Sequence, residues 1–472
     1  MKRLSVALVS LALFLSSFSL QADSLRDIYE LALENDAQLK AEEAVYLARK
    51  EAEVLGRSAL LPQISGSYSY QDTERDSESI EAVLPDGGAP IVTETTANSD
   101  TETEGYQLSL SQAIFDLPAW FSFQSGKQSS QEAEATFAAN QQNLIVRVVD
   151  AYLGVLRAQD NLAASQAQER AFERQLEQTQ QRFEVGLIAI TDVYEAQAAR
   201  DLAQVTRIVD ENNVAVALER LSVLTGQSHS NLDVLREDFG ITPPDPVDRS
   251  EWVDFALENN FSLQAARFRE EAARQTAKAN KSEHLPRVTG SASYSDFDTD
   301  GDLDLDPTNN FVSPTIDQTS EETSWGVTLS VPIFTGGAVS ANRRRTAQEF
   351  NASREERINL TRNTVTNTRS LHMTVMSDVS RVAARKQSIV SSRSALDATE
   401  AGYEVGTRNV VDVLNAQNTL FSAQRDYANS RYDYVLSMMR LKETAGLLSP
   451  EDIIALDSYM EPPPPPTASG TP

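Results

Sequence analysis

Residues 183–197 read FEVGLIAITDVYEAQ, and residues 403–417 read YEVGTRNVVDVLNAQ. Seven of the fifteen positions are identical: Glu184/Glu404, Val185/Val405, Gly186/Gly406, Asp192/Asp412, Val193/Val413, Ala196/Ala416 and Gln197/Gln417, all 220 residues apart. One motif used twice at that distance sets the architecture before any single residue is weighed. The chain reads as two structural repeats, each carrying a Gly-tipped hairpin.

Other segments return in the same order. ALENDAQL at 32–39 reappears as ALENNFSL at 256–263, and LPQISGSYSY at 61–70 as LPRVTGSASY at 285–294, both at an offset of 224. Ala113–Asp116 returns as Pro332–Thr335 at 219, and Leu221 and Gly226 return as Leu441 and Gly446 at 220. The expected organisation starts with a signal peptide at 1–22. A first repeat at 23–240 then holds a helix, a β-hairpin at 62–115 and a long helical hairpin at 119–227. A second repeat at 241–460 holds a helix, a β-hairpin at 286–334 and a helical hairpin at 338–447, before a disordered proline-rich tail at 461–472. Length varies inside 71–105 and 295–324, which makes both stretches loop candidates.

Composition limits the compartment and the partners. The opening MKRLSVALVSLALFLSSFSLQA has a basic start at Lys2 and Arg3, an apolar run and a small residue at Ala22, the pattern of a cleaved secretory signal. No later stretch approaches the ~18 consecutive apolar residues of a membrane helix. The chain has no cysteine, so disulfides and an N-terminal lipidated Cys are both excluded. Net charge is −28, and residues 71–105 carry ten Asp/Glu against one Arg, while 295–324 carry nine and no basic residue. Such a chain does not seek nucleic acid, and the acidic clusters read as solvent-facing loops.

Residues 24–60 are helical by pattern, opening at a cap formed by Asp23/Ser24 and stopped by Leu61-Pro62. The period then switches to two. Ile64, Gly66, Tyr68 and Tyr70 share one face against Ser65, Ser67 and Ser69. Tyr106, Leu108 and Leu110 do the same, as do Val288, Gly290, Ala292 and Tyr294, then Trp325, Val327, Leu329 and Val331. Each strand reads as about 9–11 residues, the length that crosses a bilayer when tilted. Tyr68, Tyr70, Tyr106, Tyr294 and Trp325 lie toward the acidic ends, where a membrane aromatic girdle belongs. A soluble sheet with one face on a core is the competing reading.

Residues 119–182 and 338–402 lack internal proline and are rich in Ala, Gln, Glu and Arg. About 64 helical residues make a rod of roughly 95 Å. Returning helices are expected near 189–226 and 409–446, with Ala163, Ala164 and Ala167 permitting close coiled-coil packing. Pro243, Pro244 and Pro246 mark a linker between the halves. Four strands cannot close a membrane barrel, and open edges are not tolerated in lipid. Two chains would supply eight strands and three would supply twelve. The arithmetic alone does not choose.

The segments RFEVGLIAITDV (182–193), AGYEVGTRNVVDVLNAQ (401–417) and SVPIFTGG (330–337) resemble the outer-membrane efflux protein family, and the likeness runs over about 24–460. The resemblance implies a mixed α and β fold. Four strands per protomer join a 12-stranded outer-membrane β-barrel in a homotrimer, continuous with a long periplasmic α-helical barrel. It implies a passive exit duct in outer-membrane lipid for drugs, detergents or secreted proteins. The duct would serve a periplasmic adaptor and an inner-membrane pump of RND, ABC or MFS type.

Gly186 and Gly406 suit helix C-caps by their tolerance of positive φ. The resemblance adds that Val185-Gly186-Leu187 and Val405-Gly406-Thr407 are adaptor-docking tips. It also implies that Thr191 and Asp192 bond across to Tyr403 and Arg408, latching the periplasmic end shut. Asp412 matches an acidic ring at the closed entrance, and Asn415 stands where a second carboxylate is expected. Asp192 and Asp412 also suit the positive end of a returning helix by themselves.

Asp296, Asp298, Asp300 and Gly301 resemble the start of a calcium loop, but the twelfth position is Pro307 instead of Glu. A repulsive acidic surface is the preferred reading, with no metal and no cofactor. The three histidines, His229, His284 and His372, fall in no metalloprotease spacing, and no nucleophile elbow or phosphate loop is present. Two other classes compete with the conduit: a coiled-coil structural rod and an outer-membrane enzyme.

Overall fold

The computed structural model describes residues 23–83, 88, 91–307 and 314–463. The signal read at 1–22 lies outside them, as does the tail read at 461–472 beyond its first three residues.

The first segment expected as one helix is three: α1 (Leu25–Asn35), α2 (Ala37–Lys50) and α3 (Ala52–Ser58). Ser24 caps α1 in a reciprocal box with Asp27. The first break is at Asp36, whose backbone turns extended and whose Oδ1 accepts from the Gln38 amide at 3.1 Å. A carboxylate offered to the next helix's amides favours ending one helix and starting another. Two strands follow, β1 (Gln63–Val83) and β2 (Ile91–Phe115), then the helices α4 (Leu117–Glu184) and α5 (Ile190–Thr225). A short strand β3 (Val234–Leu235) leads into the second series, α6 (Arg249–Asn259) and α7 (Phe261–Ser282). Asn260 separates these two as Asp36 does α1 and α2, its Oδ1 accepting from Leu263 N–H at 2.9 Å. Then come β4 (Arg287–Pro307), β5 (Thr315–Ser330), α8 (Ala338–Glu404), α9 (Val410–Ala445), α10 (Pro450–Asp457) and β6 (Met460–Glu461).

The chain forms two compact units. One takes Leu47–Glu134 and Ala265–Ile358. It holds an antiparallel sheet in the order β1-β2-β4-β5, so the two hairpins join through β2 and β4, and β1 and β5 are its edges. The register carries Ile64, Leu110, Ala292 and Trp325 across one face as a row. The next row, on the opposite face, is Ser65, Ser109, Ser293 and Ser324. Ser65 and Ser109 hydroxyls meet at 2.6 Å, and Ser293 and Ser324 at 2.8 Å.

The strands correct two expectations. They are 21, 25, 21 and 16 residues long, not 9–11. The described residues of the acidic stretches 71–105 and 295–324 are mostly strand. Their acids come at every second residue: Asp72, Glu74, Asp76 and Glu78; Asp100, Glu102 and Glu104; Asp296, Asp298, Asp300, Asp302 and Asp304. The residues between them are mainly Ser, Thr and Gly. Alternation sends these charges to one face, where water solvates them, while the backbone ladder continues unbroken; Arg75 and Glu322 fall on the opposite face. The acidic face is the continuation of the one bearing Ile64 and Tyr68. The sheet is therefore apolar on one end of this face, acidic on the other, and hydroxyl-rich behind.

The other unit takes residues up to Tyr46, Ala135–Gln264, and the chain from Asn359 onward. Its core joins Leu25 and Ile28 of α1, Val148, Tyr152 and Leu156 of α4, Leu221 of α5, Trp252 of α6 and Leu441 of α9. A smaller cluster beside the hairpin ends packs Phe172, Ala196, Ala203, Tyr403, Val410 and Val413. Ion pairs cross between helices, with Arg157 on Asp433 at 2.6 Å, Arg207 on Glu169 at 2.7 Å and Arg385 on Asp426 at 2.7 Å. Among the described residues no helix is long and apolar enough to cross a membrane.

Candidate functional site

The two repeated motifs form matching reversals. At the first, Gly186 has φ +79°, its N–H donates to Phe183 O at 2.8 Å, and Leu187 N–H donates to Arg182 O at 2.9 Å. At the second, Gly406 also has φ +79°, donating to Tyr403 O at 3.2 Å, and Thr407 N–H donates to Gly402 O at 2.9 Å. These are the paired closing bonds of a helix terminated by a left-handed residue. Open space surrounds both glycines, so backbone conformation alone requires them. Val185, Leu187 and Val405 are 71%, 73% and 75% exposed, and Thr407 is exposed beside them. Apolar side chains in water at two equivalent turns are unexplained by the fold of one chain.

The returning helices start differently. α5 begins after Ala189, which makes no side-chain cap. α9 begins after Asn409, whose Oδ1 accepts from Asp412 N–H at 2.9 Å while Asp412 Oδ2 accepts from Asn409 N–H at 3.4 Å. Arg408 reaches the same Asp412 oxygen only loosely, Nη1 lying at 3.9 Å on an exposed side chain. Asn415 is exposed one turn further on. In the first motif, among the described residues, the Asp192 carboxylate meets only the Thr191 hydroxyl, at 3.5 Å. Among the described residues of one chain, neither Thr191 nor Asp192 bonds Tyr403 or Arg408.

Tyr403 links the two hairpins by a contact the sequence does not announce. The Arg182 guanidinium lies over its ring, 4.5 Å from the centroid, with Nη1 3.5 Å from the Tyr403 carbonyl. The ring is buried, yet its hydroxyl has no hydrogen-bond partner among the described residues. A buried hydroxyl left unpaired is costly. Beside it is a polar cavity of about 690 Å³ lined by Arg174, Gln175, Gln178, Arg182, Glu400 and Gln417, among others.

On the sheet, Tyr68, Tyr70, Tyr106, Tyr294 and Trp325 share one face within four successive cross-strand rows. The tyrosines form a ladder. Tyr68 donates to Glu104 on the next strand at 2.8 Å, Tyr106 to Asp296 at 3.1 Å, and Tyr294 to Glu321 at 2.9 Å. Each ring thus faces the apolar rows and each hydroxyl the acidic ones, the orientation that suits a membrane–water boundary. Trp325 is 83% exposed. Asp296, Asp298 and Asp300 lie in this strand opposite Tyr106, Glu104 and Glu102. The calcium-loop likeness therefore fails: Gly301 sits inside the ladder against the Asp100 carbonyl, not at a turn.

Two signals were present in sequence and unused: the N-x-x-D capping box at 409–412, and the alternation of the acids. Arg182 on Tyr403, 221 positions apart, carried no signal at all.

A family model described as outer membrane efflux protein matches residues 28–227 and 252–447. The chain is 34% identical to outer membrane protein TolC of Vibrio cholerae, over 98% of this chain and 99% of that protein. It is 33% identical to outer membrane protein TolC of Escherichia coli K12, over 98% and 90%. Alkaline protease secretion protein AprF of Pseudomonas aeruginosa is 31% identical over 96% and 90%. The fold matches the outer-membrane channel OprN with a TM-score of 0.70 at 18% identity, covering 89% of each chain. It also matches the Campylobacter jejuni CmeC outer membrane channel with a TM-score of 0.69 at 16% identity, covering 93% and 90%.

Proposed function

The chain belongs to the outer membrane efflux protein family, and from that premise we propose that three copies form a passive exit duct gated at the second tip. It is an outer-membrane protein with a periplasmic portion, and its family is one of channels, not enzymes. One observation carries the assembly. The sheet has two unpaired edges, β1 and β5, and an exposed apolar face with Trp325 at 83% and Val327 and Leu329 near two-thirds exposure. In lipid such edges must pair with other copies. A second exposed stripe supports the same reading: Leu202, Val205, Val209, Val216 and Val223 of α5 recur at the three-, four- and seven-residue spacing of a coiled-coil seam. Three copies give the twelve strands that the family likeness favours over eight.

The gate rests on complementary spare groups. Asp192 has a carboxylate with one weak contact, Arg408 an exposed guanidinium with a loose one, and Tyr403 an unpaired hydroxyl. Bonds from Thr191 and Asp192 to Arg408 and Tyr403 would satisfy all three and hold the periplasmic ends together. Asp412 then supplies a ring of three carboxylates at the entrance, and Asn415 leaves the second ring uncharged. The apolar tips Val185–Leu187 and Val405–Thr407 fit an adaptor hairpin packing onto them. An inner-membrane pump of RND, ABC or MFS type would supply the energy, because nothing in the duct does. Drugs, detergents and secreted proteins are the cargo classes.

Mature protein reconstituted in a planar bilayer tests the conduit. Discrete, small openings are expected. An inserted oligomer that never conducts would instead support a structural rod.

A further inference from the structure

The backbone at Asp23 is gripped from several sides. Its N–H donates to the Asn231 carbonyl at 2.9 Å, and its carbonyl accepts from Asp233 N–H at 3.3 Å, in a parallel bridge opposite Leu232. The Tyr152 hydroxyl, on a fully buried ring, lies 3.2 Å from the Asp23 carbonyl and 2.8 Å from that of Asp233. Buried His229 faces the Asp23 carboxylate through Nδ1 at 2.8 Å and the Thr225 hydroxyl through Nε2 at 2.7 Å. A chain end without a role does not need this many partners.

Several carboxylates lie close to this stretch of backbone. Asp233 has a buried Oδ1 with no hydrogen-bond partner among the described residues. Its carboxyl is pushed above the usual range by burial and by the charges of Asp457, Asp27 and Asp23. The neighbouring guanidinium groups are engaged elsewhere, Arg26 with Glu30 at 2.8 Å and Arg236 with Asp238 at 2.5 Å. Two further carboxylates lie along the same backbone, Asp27 accepting from Ser24 N–H at 3.4 Å and Asp457 from Arg26 N–H at 3.2 Å, while one Asp233 oxygen has no donor among the described residues.

The signal pattern ends at Ala22, and that junction supplies the missing cation. Water adds across the Ala22–Asp23 peptide bond, Ala22 leaves as a carboxylate, and Asp23 keeps an amine that takes a proton at neutral pH. One amide donor becomes three ammonium donors. We propose that the α-ammonium of mature Asp23 is seated between the Asn231 carbonyl and the Asp233 carboxylate, among Asp27 and Asp457, so that signal removal completes the fold at this point. The seat lies where α1 meets the stretch between α5 and β3, so it ties the start of the first repeat to its end. It is independent of whether the assembly conducts.

The test uses the full mature protein from the outer membrane, with intact mass first establishing the terminal residue. The Asp23 amine should be acylated at neutral pH at least ~10-fold more slowly than that of a peptide beginning DSLRDIYE, because each unit of raised pKa removes that much free amine. Asp233→Asn should restore most of that rate. A chain with one extra Ala before Asp23 should unfold at a lower temperature than wild type, and the extension should cost nothing more in Asp233→Asn. If Asp233→Asn does not fold, Asp233→Glu, which keeps the charge, should retain slow acylation. A terminus at another residue overturns the inference. So does an amine reacting at the peptide's rate, one that stays slow in Asp233→Asn, or an extended chain as stable as wild type.

Discussion

At the first tip α5 starts after Ala189, with no side chain given to its free amides, and Asp192 touches only Thr191. At the second tip α9 starts after Asn409, and Asp412 is committed to a reciprocal cap while Arg408 approaches it only to 3.9 Å. The turns themselves are the same, down to the φ of Gly186 and Gly406. Duplication has preserved the reversal and divided the polar groups. One tip keeps a spare carboxylate and the other a spare guanidinium. A surface that must hold a partner and release it needs complementary halves, not identical ones.

That division can be broken in steps. The largest effect should come from the shared part. Gly186→Val and Gly406→Val each force a β-branched residue to positive φ, at a cost of roughly 1–2 kcal/mol. Hydrogen exchange of the last turns of α4 and α8 should rise equally in the two variants, and unequal losses would mean that the turns are not equivalent. The caps come next. Asn409→Ala should cost about 1 kcal/mol at the start of α9, and Ala189→Asn should gain a comparable amount at α5. Amide exchange in each first turn reads both, and a silent Asn409→Ala would remove the asymmetry.

Tyr403→Phe sharpens the comparison further. The hydroxyl has no partner among the described residues, so an isolated protomer should lose no stability. Conductance should nevertheless rise, because the proposed acceptor lies across the closed end. A stability loss without a conductance change would place the hydroxyl's partner inside the protomer. The smallest effect should be at Asn415. Asn415→Asp adds a second ring of charge one turn beyond Asp412, and block of conductance by divalent cations should tighten several-fold, ~1 kcal/mol or less at this exposed position. Unchanged block would place residue 415 away from the ion path.

The repeat, both β-hairpins and both Gly turns were legible because each rests on local chemistry: period-two alternation, a proline stop, or a glycine where φ is positive. The helix breaks at Asp36 and Asn260 were present as Asx residues but hidden by good helix formers on both sides. The acidic strands were masked by composition. Ten acids in 35 residues suggest a loop until they are counted by parity. The Tyr–carboxylate ladder needs the register between Tyr106 and Asp296, which are 190 positions apart. Arg182 over Tyr403 is the same kind of fact, produced by packing and invisible to spacing.

Gating at the second tip is tested most directly by single-channel conductance of wild type and Arg408→Ser, side by side in planar bilayers. Losing a charge-assisted bond of ~1.5 kcal/mol should raise the open population about tenfold. Frequent or larger openings in Arg408→Ser, with unchanged trimer stability, are the expected result. Conductance equal to wild type in a correctly assembled trimer would contradict a latch at Arg408 and leave the closed end without its proposed bond.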